Sequence, residues 1–338
     1  MKIALTIDHL IAREHSTAIF EEIMGLYKDA EIWTIVHNEG AVLGPIEMRK
    51  IHSSFLSHKV KDKKKFKKLS FLVPSAANKL FIPCSFDLII NISTGLSHGI
   101  KKCKETKQIT YLYDFNLLKD ETITGKIFKG YLKKWSLNKI KQSDLLLTSS
   151  KFLNQSLGLN GKVVYPFFKL EDFPLIPSTH WKHDFFVING EGLTLKAANE
   201  LISYLKKDNQ KYCFIGDLPK GLEIPMDLNM GNKCNGELAP LLASSKGLIH
   251  FAQSSFPQNP LKNLSVGRPL LIKDSPLNRE FFENRPGVTF FSNDDLFSKM
   301  ESFNTSITPE KIRATAMKYQ SLGFKGQFKR QVEQFIKE

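Results

Sequence analysis

Apolar residues in this chain come in short continuous runs, separated by stretches where they recur every three or four positions. The continuous runs at residues 3–7, 31–36, 86–92, 108–112, 144–148 and 162–165 predict strands buried on both faces. Between the first two, Ile19, Phe20, Ile23, Met24 and Tyr27 fall on one side of a helix over residues 16–27. The segment from Pro166 to Pro177, with Trp181 beyond, breaks both patterns and reads as a linker. The rhythm then restarts. Strands are expected at 185–188, 212–215, 247–251, 269–272 and 287–291, and helices near 195–206, 237–243 and 278–283, with helical sequence from Pro309 onward. Alternating strands and helices imply parallel sheets, so the fold class is α/β with two Rossmann-like halves and a crevice at the strands' carboxyl ends.

Composition is compatible with that picture. At 338 residues, 42% hydrophobic and 24% charged, the chain can fill two globular cores. No apolar run approaches the ~20 residues of a membrane-spanning helix. The opening Met1-Lys-Ile-Ala-Leu-Thr-Ile-Asp8 turns polar too early for a signal peptide and reads as a strand. Cys84, Cys103, Cys213 and Cys234 show no metal-binding spacing, which predicts reduced thiols in the cytoplasm, no metal and no cofactor.

Charge is uneven. Of the net +14, residues 1–170 hold 27 Lys+Arg against 15 Asp+Glu (+12), leaving 21 against 19 (+2) for residues 171–338. The densest run supplies Lys59, Lys61, Lys63, Lys64, Lys65, Lys67 and Lys68, with Phe66 among them and Leu69-Ser-Phe-Leu after it. A second basic segment, 126–141, carries Ile127, Tyr131 and Trp135 at near-helical spacing. Lysines beside aromatic and aliphatic residues suit an anionic membrane surface, while a solvated lysine-rich face is the plain alternative. No recognition motif accompanies the lysines, so nucleic acid is not an expected partner.

Several short motifs narrow the class. In the first half these are Asp8-His-Leu, Ile51-His-Ser-Ser-Phe-Leu56, Phe86-Asp-Leu-Ile-Ile-Asn-Ile-Ser93, Thr148-Ser-Ser-Lys-Phe152 and Val164-Tyr-Pro166. In the second they are Phe186-Val-Ile-Asn-Gly190, Phe214-Ile-Gly-Asp217, Gly267-Arg-Pro269 and the segment from Ile307-Thr-Pro to Phe328. Together they resemble the retaining family 4 glycosyltransferases of bacterial polysaccharide assembly, in their mannosyltransferase-like branch. The resemblance implies a GT-B-like fold: two Rossmann-like domains facing across a cleft, with C-terminal helices crossing back to the first. The expected domains are 1–170, joined by 308–338, and 180–307. It also implies transfer of a sugar from a nucleotide diphosphate sugar to a glycan or lipid-linked acceptor, without a metal, in the cytoplasm or at the inner face of the membrane.

The family's site residues carry over unevenly. Lys196 falls on its diphosphate-binding lysine, but Glu191 stands where it has an arginine. Aligning Gly267-Arg268-Pro269 puts the two carboxylates of its Glu-x7-Glu motif at Ser254 and Lys262. An ammonium has no acceptor for a ribose hydroxyl, and a serine keeps hydrogen bonding without charge. Asn259-Pro260 reads as the N-cap and first turn of the helix that would point at the phosphates. The Gly-Gly turn of the first domain falls on Glu14-His15, its His-Thr-Pro on Tyr113-Asp114-Phe115, and the glycine-rich loop of the second on Lys273-Asp-Ser-Pro-Leu277. Glu191 and Lys262, inverted in opposite senses, would pair if they lined one cleft.

Other candidates come from position. Asp114 directly follows a strand and is the spare carboxylate for acid–base work; the alternative is a turn or capping aspartate. His98 follows a strand end, as a cleft residue or a polar loop histidine. Asp8 and His15 lie on the expected acceptor side, though His15 could simply open a helix. Three functions fit: a transferase with altered donor recognition, a catalytically inactive relative that binds a glycan or partner enzyme, and a basic protein that binds anionic lipid.

Overall fold

The computed structural model describes residues 1–115, 123–176, 183–303 and 306–338, with side chains of 123–129 excluded. Pro177, Trp181 and the Ile127 side chain lie outside these. The chain divides into two compact units, Met1–Pro166 with Phe324–Glu338, and Phe167–Gly323.

The first unit is built on a parallel sheet of seven strands in the order β3-β2-β1-β5-β7-β8-β9. They are β1 (Ile3–Leu10), β2 (Glu31–His37), β3 (Ile51–Ser53), β5 (Leu88–Ser93), β7 (Lys107–Leu112), β8 (Leu145–Thr148) and β9 (Lys162–Val163). The remaining two, β4 (Phe81–Ile82) and β6 (Lys101–Lys102), form a separate parallel pair. All six residues of β5 are buried, as a strand covered on both faces requires. Strand order reverses at β1 and β5, which pair in register from Ile3↔Leu88 to Ile7↔Ile92. That is the topological switch point, where an open α/β sheet leaves a crevice beyond its carboxyl ends.

Helical sequence after Pro309 is two helices, Pro309–Met317 and Ser321–Lys337. Phe324 and Phe328 of the latter pack on Tyr111 of β7, with ring centroids 5.8 and 6.0 Å away. The return to the first unit is therefore shorter than the expected 308–338. Pro309–Met317 belongs to the second unit, where Ile312 is buried and Arg313 donates to the Phe173 and Ser265 carbonyls.

The second unit has a five-stranded parallel sheet in the order β11-β10-β12-β13-β14. Its strands are β10 (Phe185–Asn189), β11 (Lys211–Ile215), β12 (Gly247–His250), β13 (Leu270–Lys273) and β14 (Val288–Phe291). Here the switch point lies at β10 and β12, whose last residues pair as Asn189↔His250. Phe186, Ile188, Leu201, Phe214, Ile249 and Leu271 form the core.

Gly267-Arg268-Pro269 links the helix Gln258–Ser265 to β13. Gly267 has φ +75°, and a Cβ there would lie 2.5 Å from Pro309 Cβ. Left-handed backbone and close approach both demand glycine. Gly267→Ala is expected to destabilise the protein by about 2–4 kcal/mol in urea unfolding, through strain plus overpacking.

The sequence predicted free thiols, but Cys84 and Cys103 are joined in a disulfide whose Cα atoms are 5.2 Å apart. Parallel pairing of β4 with β6 brings the two together, a non-local contact that sequence spacing does not show. Cys213 and Cys234 are free. Among the described residues, no helix is long and apolar enough to cross a membrane.

Candidate functional site

In each unit a buried polar pair closes the sheet at its switch point. In the first unit Asp8, near the end of β1, is only 2% exposed and accepts four hydrogen bonds. Its donors are Ser93 Oγ at 3.0 Å, Thr94 N at 2.8 Å, Thr94 Oγ1 at 2.6 Å and Ser97 N at 2.6 Å. The carboxylate thus stands in for the helix or ladder partners that the tight turn after β5 cannot supply from backbone.

His98 completes this network. Its Nε2 lies 3.0 Å from the Ser136 carbonyl oxygen, which can only accept, so that nitrogen carries the proton. Nδ1 faces Ser93 Oγ at 2.9 Å, so the single Ser93 hydroxyl proton is shared between Nδ1 and Asp8 Oδ1. Burial lowers the His98 pKa to about 4, with Asp8 and the Ser136 carbonyl opposing and Lys139 adding to the drop. Both ring nitrogens are occupied within the unit, and the residue is 3% exposed. Proposed as a cleft or loop histidine, His98 instead holds the base of the crevice and meets no solvent-borne substrate in this conformation.

His15 and Asp114 lie nearer the surface of the same end. His15 is the first residue of the helix His15–Leu26, and its Nδ1 is 2.6 Å from the Tyr113 hydroxyl. Asp114 is buried, and its Oδ1 accepts from Phe115 N at 2.8 Å, the local bond of a turn aspartate. Glu14, the N-cap, pairs with Lys63 and forms a capping box with Thr17. The Glu14-His15 pair thus starts a helix at the place where the resemblance implied a Gly-Gly turn.

The lysine run is exposed at all seven lysines, and residues 63–68 are helical. Phe66, however, turns into the core, edge-on to His9 at 5.1 Å between centroids. Trp135 of the second basic segment likewise packs inward, leaving Tyr131, 57% exposed, as its outward aromatic. The expected pairing of lysine charge with inserted rings therefore fails at Phe66 and Trp135, because both rings pack on the core of the first unit. What remains of the patch is electrostatic.

In the second unit, Asn189 Nδ2 donates to His250 Nδ1 at 2.9 Å, and Glu191 N donates to Asn189 Oδ1 at 3.1 Å. Burial pushes the His250 pKa down to about 3, opposed by the Ala252 backbone. Above this pair the loops after β10, β11 and β12 come into contact. A Cβ on Gly190 would lie 2.5 Å from the Asp217 carbonyl oxygen, and one on Gly192 2.6 Å from Ala252 Cα. Glycines here let three loops crowd over the crevice with their backbone groups accessible.

The donor-side candidates surround this rim. Lys196 sits in the first turn of the helix Leu195–Lys207, 87% exposed, with Glu200 at 3.8 Å its only ion pair within 4.0 Å among the described residues. Glu191 is exposed between the two glycines and makes no ion pair within 4.0 Å among the described residues. Ser254, on the loop after β12, donates to the Phe256 carbonyl at 3.1 Å. Asn259 was expected to cap the helix Gln258–Ser265; Pro257 holds that place instead, with no side-chain cap. The helix starts two residues early because Pro260 fits its third position, where a missing N–H costs nothing. Its uncapped end stays available to an anion.

Lys262 is half-buried, its ammonium 5.4 Å from the centre of the Phe173 ring. Burial lowers its pKa, with Asp172 opposing. Its charge neighbours are therefore Asp172 and Phe173, and the imagined Glu191–Lys262 ion pair is absent.

Sequence reasoning missed Ser93, Asn189 and His250. One signal was available: each is the polar last residue of a buried, mostly apolar strand.

No protein-family model matches this chain, and no curated relative matches it. Solved structures do. HepE from Anabaena in complex with UDP is 13% identical over 99% of this chain and 100% of its own, with a TM-score of 0.67. Sucrose-phosphate synthase from Thermosynechococcus elongatus is 8% identical over 99% of both chains, at 0.68. The lipopolysaccharide outer core galactosyltransferase WaaB in its apo form is 13% identical over 99% of both, at 0.64. Across its full length, this chain has the GT-B fold of these proteins.

Proposed function

We propose that this chain is a glycosyltransferase that takes its sugar from a nucleotide diphosphate sugar held at the strand ends of the second unit. The acceptor is a glycan or lipid-linked saccharide of polysaccharide or cell-envelope assembly, and the finer placement is the family 4, mannosyltransferase-like branch. The observation that carries the reading is likeness over 99% of the chain to HepE solved with UDP-glucose, at a TM-score of 0.65. The glycine-lined rim, the uncapped helix Gln258–Ser265 and Lys196 are the groups that suit a diphosphate: backbone approach, a positive helix end and a mobile cation. Charge growing on the departing diphosphate is what such groups stabilise.

Glu191 opposes this. Its carboxylate stands on the rim with no ion pair within 4.0 Å among the described residues. That observation favours a second reading, an inactive relative that retains weak ligand binding. In water a charge pair at ~4 Å is worth about 1 kcal/mol, so reversing the Glu191 charge changes donor affinity by about 2 kcal/mol. Glu191→Arg is expected to tighten UDP-glucose binding about ten- to thirty-fold in calorimetric titration. Binding with no sugar transfer to any lipid-linked acceptor extract selects the inactive reading. No binding by either protein, to UDP-, GDP-, ADP- or dTDP-glucose, rejects both.

Peripheral attachment to an anionic membrane is part of the same proposal, with each lysine of the 59–68 run adding up to ~1 kcal/mol near the surface. Flotation with vesicles containing phosphatidylglycerol, but not with neutral vesicles, is the expected result; equal behaviour on both removes the membrane from the account.

A further inference from the structure

Away from both switch points, the β4–β6 pair in the first unit gathers a separate set of reactive groups. Cys84 follows β4 by one proline, Cys103 follows β6 directly, and Glu105 lies two residues on. The two sulfurs and a Glu105 carboxylate oxygen all lie within 4.8 Å of one another. We propose that, when Cys84 and Cys103 are reduced, this trio binds a thiophilic divalent cation, Zn2+.

The chemistry of the ligands selects the metal. Two thiolates and one carboxylate match zinc, whereas magnesium and calcium call for oxygen shells. Zinc–sulfur bonds of about 2.3 Å in a tetrahedron separate two sulfurs by about 3.8 Å. The 5.2 Å between the Cα atoms accommodates that spacing by side-chain rotation alone. Water completes the fourth position, because Cys84 and Glu105 are exposed and face an open cavity of about 350 Å³.

The loop is already held for the purpose. Ile82 and Ile100 are buried at the base of the two strands. Buried Thr106 donates to the Phe86 carbonyl at 3.0 Å, and the Lys102 ammonium donates to the Thr106 carbonyl. Both cysteine-bearing turns are thus anchored whether or not the sulfurs are bonded to each other. Glu105 makes no ion pair within 4.0 Å among the described residues, although Lys101, Lys102 and Lys104 are its sequence neighbours. With both sulfurs as thiolates, the trio is a trianion that a dication partly neutralises.

Disulfide and zinc are exclusive states of the same pair. A dithiol reductant supplies two electrons and two protons to the Cys84–Cys103 bond and leaves as its own disulfide. The freed thiols then give two protons to water as the metal takes both thiolate lone pairs, with no change in its oxidation state.

The test uses the full chain, reduced with a phosphine and desalted without oxygen, titrated with Co2+ and then Zn2+. The proposal predicts a saturating thiolate-to-cobalt charge-transfer band that Zn2+ abolishes. Cys84→Ser and Cys103→Ser should each remove it, Glu105→Gln should weaken binding at least about tenfold, and Cys234→Ser should leave it unchanged. The oxidised chain should bind neither metal. Absence of the band in the reduced chain overturns the proposal, as does a band that survives in the Cys84→Ser, Cys103→Ser double variant. Should a serine variant fail to fold, Glu105→Gln decides, since unchanged affinity there also overturns it.

Discussion

Acidification from pH 7 to pH 4.5 is expected to cost this protein about 5 kcal/mol of folding stability through two histidines. Burial holds His98 at about 4 and His250 at about 3, below the 6.5 of a free imidazole. Below pH 6.5 the unfolded chain binds protons at these positions and the folded chain does not, so stability falls as pH falls. The loss begins near pH 6.5 and, for each residue, continues until its folded pKa is reached. At pH 4.5 it amounts to about 2–3 kcal/mol per histidine. One residue lies in each unit, so both should weaken. Urea unfolding followed by circular dichroism at the two pH values measures the loss. His98→Gln and His250→Gln should each flatten the pH dependence by about half. Stability equal at the two pH values within about 1 kcal/mol would show that the imidazoles are not held neutral.

Asp8→Ala is expected to destabilise the first unit by about 3–5 kcal/mol. The substitution strands the N–H groups of Thr94 and Ser97 and the Thr94 hydroxyl, and each lost acceptor costs about 1–3 kcal/mol. Asp8→Asn should also be costly, although nearly isosteric. Both carboxylate oxygens accept, and an asparagine turns an NH2 toward one set of donors. A further consequence is electrical. Asp8 opposes the burial effect on His98, so its removal should push that imidazole lower still. Both effects are measurable, by urea titration and by proton resonance of the imidazole. A loss below about 1 kcal/mol for Asp8→Ala would mean that Asp8 is not the acceptor holding the turn.

These two effects mark what sequence could and could not disclose. Strands were legible because a parallel strand must be apolar on both faces; residues 31–36, 185–188 and 287–291 read as β2, β10 and β14 nearly to the residue. Asp8 stood out as a polar residue at an apolar strand's end. Its use did not, since the four donors lie 85 to 89 residues away. His98 was misplaced for the same reason: its burial depends on Ser136, on a helix 38 residues away.

Local rules failed where packing overruled them. Asn259 has the residue type of a cap, yet the helix begins two residues earlier than that cap implies, at Gln258. Phe66 among lysines looked like a membrane anchor, yet its ring is needed against His9. The disulfide was invisible because it follows from pairing two-residue strands too short to leave a pattern. Family resemblance located Glu191, Lys196, Ser254 and Lys262. It could not show that Lys262 rests on Phe173 beside Asp172 while Glu191 and Lys196 remain at the solvent.

The central claim is that the strand ends of the second unit hold a nucleotide diphosphate sugar with Ser254 and Lys262 at two of the rim positions. Hydrogen–deuterium exchange with saturating UDP-glucose tests it at residue resolution. The account predicts slowed exchange over residues 189–193 and 252–261, the glycine rim and the start of the helix Gln258–Ser265. At a donor concentration 100 times the dissociation constant, it also predicts about 2.7 kcal/mol of added stability. Protection confined to the first unit, or none with any nucleotide sugar, would contradict it.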